Sequence, residues 1–122
     1  MKHTNFFSAL KTALIGIRSL LKESRNARIQ SVLFLCICIT GLFVQLSYYD
    51  WLWILAASTF VLTMEALNTS IEQLADLISS EYHPKIKILK DIAAGAVLIA
   101  SIFSIVVACV VFLPYLCAIL PC

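Results

Sequence analysis

Charged residues are absent from three long stretches of this chain, Ile29–Tyr49, Trp51–Met64 and Ile92–Cys122. A helix needs about 20 predominantly apolar residues to cross a hydrocarbon layer of about 30 Å, and the first and third stretches reach that length unaided. The second becomes polar in its latter half but extends the same apolar pattern into a long helix. With 61% hydrophobic and 13% charged positions in 122 residues, a water-soluble domain of this size has nowhere to hide its apolar surface. The expected architecture is all-α and membrane-integral, a single domain over 1–122. Its spans are expected at about 29–49, 51–78 and 91–113. Asp50 stands among Tyr48, Tyr49, Trp51 and Trp53, aromatics suited to a membrane–water interface, which predicts a tight interfacial turn there. Pro114 is the expected stop of the third span.

Basic residues give the orientation. Lys2, Lys11, Arg18, Lys22, Arg25 and Arg28 precede the first span, and Lys85, Lys87 and Lys90 separate the second from the third. The Asp50 turn and the tail after Leu113 hold no Lys or Arg. By the positive-inside rule the N-terminus faces the cytoplasm and the C-terminus lies outside.

Upstream of the first span, the longest uninterrupted apolar stretch, Ala13–Ile17, is too short for a signal peptide. With a helical period, Leu10, Leu14, Ile17 and Leu21 share one face and Lys11, Arg18 and Lys22 another. That pattern predicts an amphipathic helix over about 4–24 lying on the inner leaflet, if only as an anchor. The five cysteines read as small apolar residues, since Cys36 and Cys38 point to different sides of a helix and have no nearby partner ligand. A Cys117–Cys122 bridge is open.

The second span carries the chemistry. Glu65, Asn68, Glu72 and Asp76 project within an arc of about 80° at ~100° per residue, forming one polar stripe. Counted from Asp50, Glu65 lies about 22 Å into the layer, and Asp76 about 39 Å along. Burying an ionisable group at such a depth costs at least about 2.5 kcal/mol, which favours a functional role over a packing pair on a neighbouring helix. Three carboxylates without a basic partner on their own helix call for compensation, and a hard divalent cation such as Mg²⁺, accompanied by substrate phosphates, supplies it economically. Glu23 joins this set if the surface helix folds over the mouth of the bundle.

The next segment supplies positive charge, through Ser80-Glu81-Tyr82-His83-Pro84-Lys85, then Lys87 and Lys90-Asp91. Pro84 breaks the helix, and Lys90-Asp91 mark the start of the next. Each has an ordinary explanation: His83 as a loop residue, Lys85 and Lys87 as topology determinants, Asp91 as a favourable charge at a helix start. Together they are placed to converge on the carboxylates and bind polyphosphate. The three glycines, Gly16, Gly41 and Gly95, form neither a P-loop nor a G-x-G-x-x-G loop. Any phosphoryl transfer uses a different nucleotide site.

The run Glu65-Ala-Leu-Asn68-Thr-Ser-Ile-Glu72, followed by Asp76, Glu81-Tyr82-His83-Pro84 and Lys90-Asp91-Ile-Ala-Ala-Gly95-Ala-Val-Leu, resembles the prokaryotic diacylglycerol kinase family, which includes undecaprenol kinases. The resemblance covers nearly the whole chain. It implies a homotrimeric bundle in the bacterial cytoplasmic membrane, with active sites shared between protomers, that transfers the γ-phosphate of ATP to diacylglycerol or undecaprenol. By the same resemblance Glu65 is the catalytic base, and Glu23 and Glu72 bind Mg²⁺. Glu23, Glu72, Asp76, Glu81, Tyr82, His83, Lys90 and Asp91 form the nucleotide site, while Asn68 and Ala94 belong to the lipid side. Asn68-Thr69, His83-Pro84 and Ala93-Ala94-Gly95-Ala96 look more like the undecaprenol-kinase branch, since a serine commonly replaces Ala94 in the other. The implied partners are lipid, ATP and further copies of the chain, with no nucleic acid.

Two other classes compete. A small proton-coupled transporter uses a buried Glu such as Glu65 to bind protons, but leaves Glu72, Asp76 and Lys90-Asp91 without a purpose. A scaffold subunit explains the small-residue stripe Ala96, Ala100, Ser104 and Ala108, but not the cost of Glu65.

Overall fold

A computed structural model describes residues 5–120 of the chain. It contains four helices, α1 (Phe6–Glu23), α2 (Arg25–Phe43), α3 (Tyr48–Ile78) and α4 (Pro84–Ile119). By length and composition α2, α3 and α4 are each able to cross a membrane. Lys2 and Cys122 lie outside the described residues, and with them the Cys117–Cys122 pairing.

A single extended residue, Ser24, separates α1 from α2. Its backbone N–H donates to Leu20 O at 2.8 Å and closes α1. Its Oγ accepts from Ala27 N at 3.0 Å and caps α2, satisfying one of the donors that every helix start leaves over. Arg28 Nη1 reaches back to the carbonyls of Leu21 and Lys22, at 2.9 Å each. The helix therefore starts four residues ahead of the charge-free run, because a good cap decides where it begins, whatever the charge of the residues that follow.

The sequence places the first span through Tyr49, with a turn at Asp50. The structure ends α2 at Phe43 and starts α3 at Tyr48. Gln45 adopts φ 55°, and Leu46 N donates to Gly41 O at 3.1 Å, the wrap that closes a helix through a left-handed residue. Gly41 permits this closure, since a Cβ there would lie 2.8 Å from Leu46 Cδ1 and 2.9 Å from Trp51 Cη2. Ser47 then caps α3 through Asp50 N at 3.2 Å, so Asp50 belongs to the first turn of α3 and not to the connection.

Helix α4 differs from expectation at both ends. Pro84 opens it, with His83 Nδ1 accepting from Lys85 N at 3.2 Å, because proline's missing donor costs nothing in a first turn. Lys90 and Asp91 thus sit in the second turn, not at the start. Pro114 does not stop the helix, which runs on to Ile119. In an apolar surrounding the helix remains the only way to pair backbone groups, and the neighbouring Tyr115 is pinned. Its hydroxyl donates to Asp50 Oδ2 at 2.7 Å and accepts from Ser47 N at 3.0 Å.

α3 is the central helix, packed along α4 on one side and more lightly against α2 and α1 on the other. Ala93, Ala100, Val107 and Val111 of α4 are buried, as are Ile54, Ala57, Val61 and Ala75 of α3. Leu46, Ile54, Ala57, Val107 and Val111 make the apolar core at the Asp50 end. Of the predicted small-residue stripe, Ala100 is fully buried and Ala96, Ser104 and Ala108 are half-buried. Most large apolar side chains point outward, among them Leu98, Ile99 and Ile105 of α4 and Leu33 and Leu35 of α2. A helix apolar on nearly all sides is suited to lipid or to further helices.

Candidate active site

Ser24 Oγ donates to Glu65 Oε1 at 2.7 Å. This contact places Glu65 beside Ser24, the residue that caps the start of α2 and precedes Arg25. From there α3 continues to Ile78, about 20 Å further at 1.5 Å per residue. Glu72 and Asp76 are on that extension, and both are exposed.

Glu65 is 2% exposed and Asn68 7%. Among the described residues the second carboxylate oxygen of Glu65, Oε2, has no hydrogen-bond partner, nor does Asn68 Oδ1 one turn later on the same face. Two buried acceptors without a donor are costly to maintain. A single hydroxyl donor satisfies one of them.

The second assembly lies where α3 ends and α4 begins. Asp76, Ser79, Glu81, Tyr82, His83 and Lys90 line a recess of about 340 Å³, so most of the residues expected to hold a nucleotide surround one space. Lys90 Nζ donates to Asp76 Oδ1 at 2.6 Å. Lys90 precedes the charge-free stretch of α4. The Asp76 hydrogen bond raises its ammonium above the ordinary lysine value, with help from the charges of Asp76 and Glu72. The polar stripe therefore does have a basic partner, contributed by the next helix. Asp91 pairs with Lys87 one turn away and does not line the recess.

Glu23 occupies a third position. It ends α1 and lines a recess of about 430 Å³ whose opposite wall is Thr69, Ser70 and Gln73 of α3. Glu72 is adjacent in sequence to that wall. Ala94 is exposed on α4 and shares a shallow recess with Asn26 and Gln30 of α2, apart from the Glu65–Asn68 pair.

The model of the prokaryotic diacylglycerol kinase family matches residues 11–112. The chain belongs to this family. It is similar to the undecaprenol kinase of Bacillus subtilis, with 34% identity over 91% of this chain and 90% of that one. A diacylglycerol kinase of Synechocystis is 31% identical over 90% of this chain, which spans only 63% of the relative's length. The diacylglycerol kinase of Escherichia coli matches at 37% identity over 47% of each chain. The protein is thus an enzyme of a kinase family, a phosphotransferase, and the transporter and scaffold readings give way to it.

Among the described residues of this kinase no three His, Cys, Asp or Glu side chains stand together as a metal cage. Mg²⁺ is commonly held by one or two carboxylates and completed by substrate phosphates and water. Glu23 and Glu72 are hard oxygen donors of the right kind, both exposed. One residue of the site escaped the sequence reading. Ser24 precedes a helix start and carries the small hydroxyl typical of a cap, but a span counted from the charge-free run at Ile29 leaves the cap position without a signal.

Proposed function

We propose that this kinase transfers the γ-phosphate of Mg·ATP to the hydroxyl of a membrane lipid alcohol, diacylglycerol or undecaprenol, with Glu65 as general base. The observation that carries the proposal is the pair of buried, donor-deficient acceptors Glu65 Oε2 and Asn68 Oδ1, joined by one continuous helix to the polar recess at Asp76 and Lys90. The lipid hydroxyl donates to Glu65 Oε2. As its oxygen forms a bond to the γ-phosphorus, the bond to the β–γ bridging oxygen breaks, the proton stays on Glu65, and ADP leaves. Lys90 faces the phosphates, Asp76, Glu81, Tyr82 and His83 shape and orient the nucleotide, and Asp91 acts through Lys87, its ion-pair partner, which lines the same recess. Glu23 and Glu72 hold Mg²⁺, which when bound neutralises phosphate charge. Ala94 is assigned to the lipid side through the family resemblance.

The whole chain acts as one membrane domain in a homotrimer of the bacterial cytoplasmic membrane, with sites shared between protomers. The outward apolar faces of α2 and α4 support that reading. Leu10, Leu14 and Ile17 of α1, all about half exposed, support α1 as an amphipathic helix on the cytoplasmic surface. The basic residues support a cytoplasmic N-terminus and an external C-terminus.

The test is transfer of labelled γ-phosphate from Mg·ATP in mixed micelles, offering diacylglycerol and undecaprenol separately. Label on one lipid supports the reading and identifies the acceptor. Label on neither, with protein shown to be folded, overturns both acceptors.

A further inference from the structure

We infer that Ser24 is the positioning residue of the base: its hydroxyl fixes Oε1 of Glu65 so that Oε2 receives the substrate proton. This rests on Glu65 being the base. Ser24 is 7% exposed and holds three roles at once. Its N–H ends α1 on Leu20 O at 2.8 Å, its oxygen caps α2 through Ala27 N at 3.0 Å, and its hydroxyl hydrogen goes to Glu65 at 2.7 Å. The oxygen accepts from Ala27, and the one hydroxyl hydrogen goes to the carboxylate, which in its ionised form only accepts. Of the two carboxylate oxygens, Oε1 is held by a donor, and Oε2, like Asn68 Oδ1, has none among the described residues.

The cap ties the carboxylate to the α1–α2 junction. Any rotation of α1 against α2 moves Ser24, and with it the oxygen that takes the proton. The charged residues on the elements around Glu65 are Glu23, Arg25 and Arg28 at the α1–α2 junction, Glu72 and Asp76 on α3, and Lys90 and Asp91 on α4. Among the described residues only Ser24 hydrogen-bonds the Glu65 side chain.

The test uses Ser24→Gly and Ser24→Thr. Glycine keeps most of the capping preference and threonine keeps the hydroxyl, so a loss seen only with glycine is not a loss of the cap. Expected for Ser24→Gly is a fall in kcat of about tenfold with KM for ATP little changed. Ser24→Thr restores the rate. In the Glu65→Gln background Ser24→Gly lowers the residual rate no further, because the carboxylate it positions is gone. A Ser24→Gly kcat equal to that of the unaltered protein, or an equal loss in the Glu65→Gln background, overturns the inference. Full activity in Glu65→Gln refutes Glu65 as the base instead.

Discussion

Lys90 on the second turn of α4 donates to Asp76 on the last turns of α3 at 2.6 Å, fastening the two helices across the loop that connects them. The ammonium has one strong acceptor and is otherwise open to the recess. It therefore fastens the loop and carries a positive charge at the recess, where the proposed function puts the phosphates. In Lys90→Met, KM for ATP rises by about tenfold or more, in line with loss of a charge-assisted contact, while kcat at saturating ATP changes less. Because Lys90 is raised from an ordinary value of 10.5, its charge is fully present at neutral pH and is lost only as pH climbs beyond that value. KM for ATP in the unaltered protein is accordingly flat between about pH 6 and pH 9 as far as this residue is concerned. Initial rates across ATP concentration and pH check both statements.

Glu65→Gln preserves shape and an acceptor for Ser24 but removes the carboxylate proposed as the base. The expected loss in kcat is about 10²-fold to 10⁴-fold. The thermal unfolding midpoint stays at or above that of the unaltered protein, because an amide is cheaper to bury than a carboxylate. A parallel fall in melting temperature would mean that the change acts through the fold.

Glu72→Ala removes one of the two hard donors assigned to Mg²⁺. The concentration of Mg²⁺ giving half-maximal activity rises, and excess Mg²⁺ recovers part of the rate. Glu65→Gln shows no such recovery, which separates the metal role from the base role. Chelation with EDTA abolishes activity in the unaltered protein, and re-addition of Mg²⁺ restores it.

Gly41→Ala tests the far end of the bundle. The added Cβ would lie 2.8 Å from Leu46 Cδ1 and 2.9 Å from Trp51 Cη2, so overpacking costs about 1–3 kcal/mol. Thermal unfolding shows a lowered midpoint, whereas kcat per folded molecule is unchanged because the site is at the other end of α3.

Much of this organisation was legible in the sequence because the membrane leaves few alternatives. Charge-free runs give the apolar helices, and the 3.6-residue period places Glu65, Asn68, Glu72 and Asp76 on one face of α3. Element ends were less legible. Gln45 in a left-handed conformation ends α2 early, and no side-chain pattern announces a non-glycine residue there. Pro114 looks like a stop, but a stop requires somewhere for unpaired backbone to go, and the apolar surrounding offers nothing. Across the site, sequence periodicity grouped residues on one helix but was blind to contacts between helices. Lys90 reads in the sequence as a topology charge and phosphate ligand, and nothing there points to its Asp76 partner. Ser24, 41 residues from Glu65 along the chain, carried only the signal of a helix cap.

The central claim is that the proton of a lipid hydroxyl passes to Glu65 as the γ-phosphate is transferred. Single-turnover transfer of labelled phosphate from Mg·ATP to lipid, comparing the unaltered kinase with Glu65→Gln at matched ATP occupancy, tests it most directly. The account predicts rapid labelling of the lipid in the first and a rate at least about 10²-fold lower in the second, with nucleotide binding retained. Equal single-turnover rates in the two proteins would contradict it.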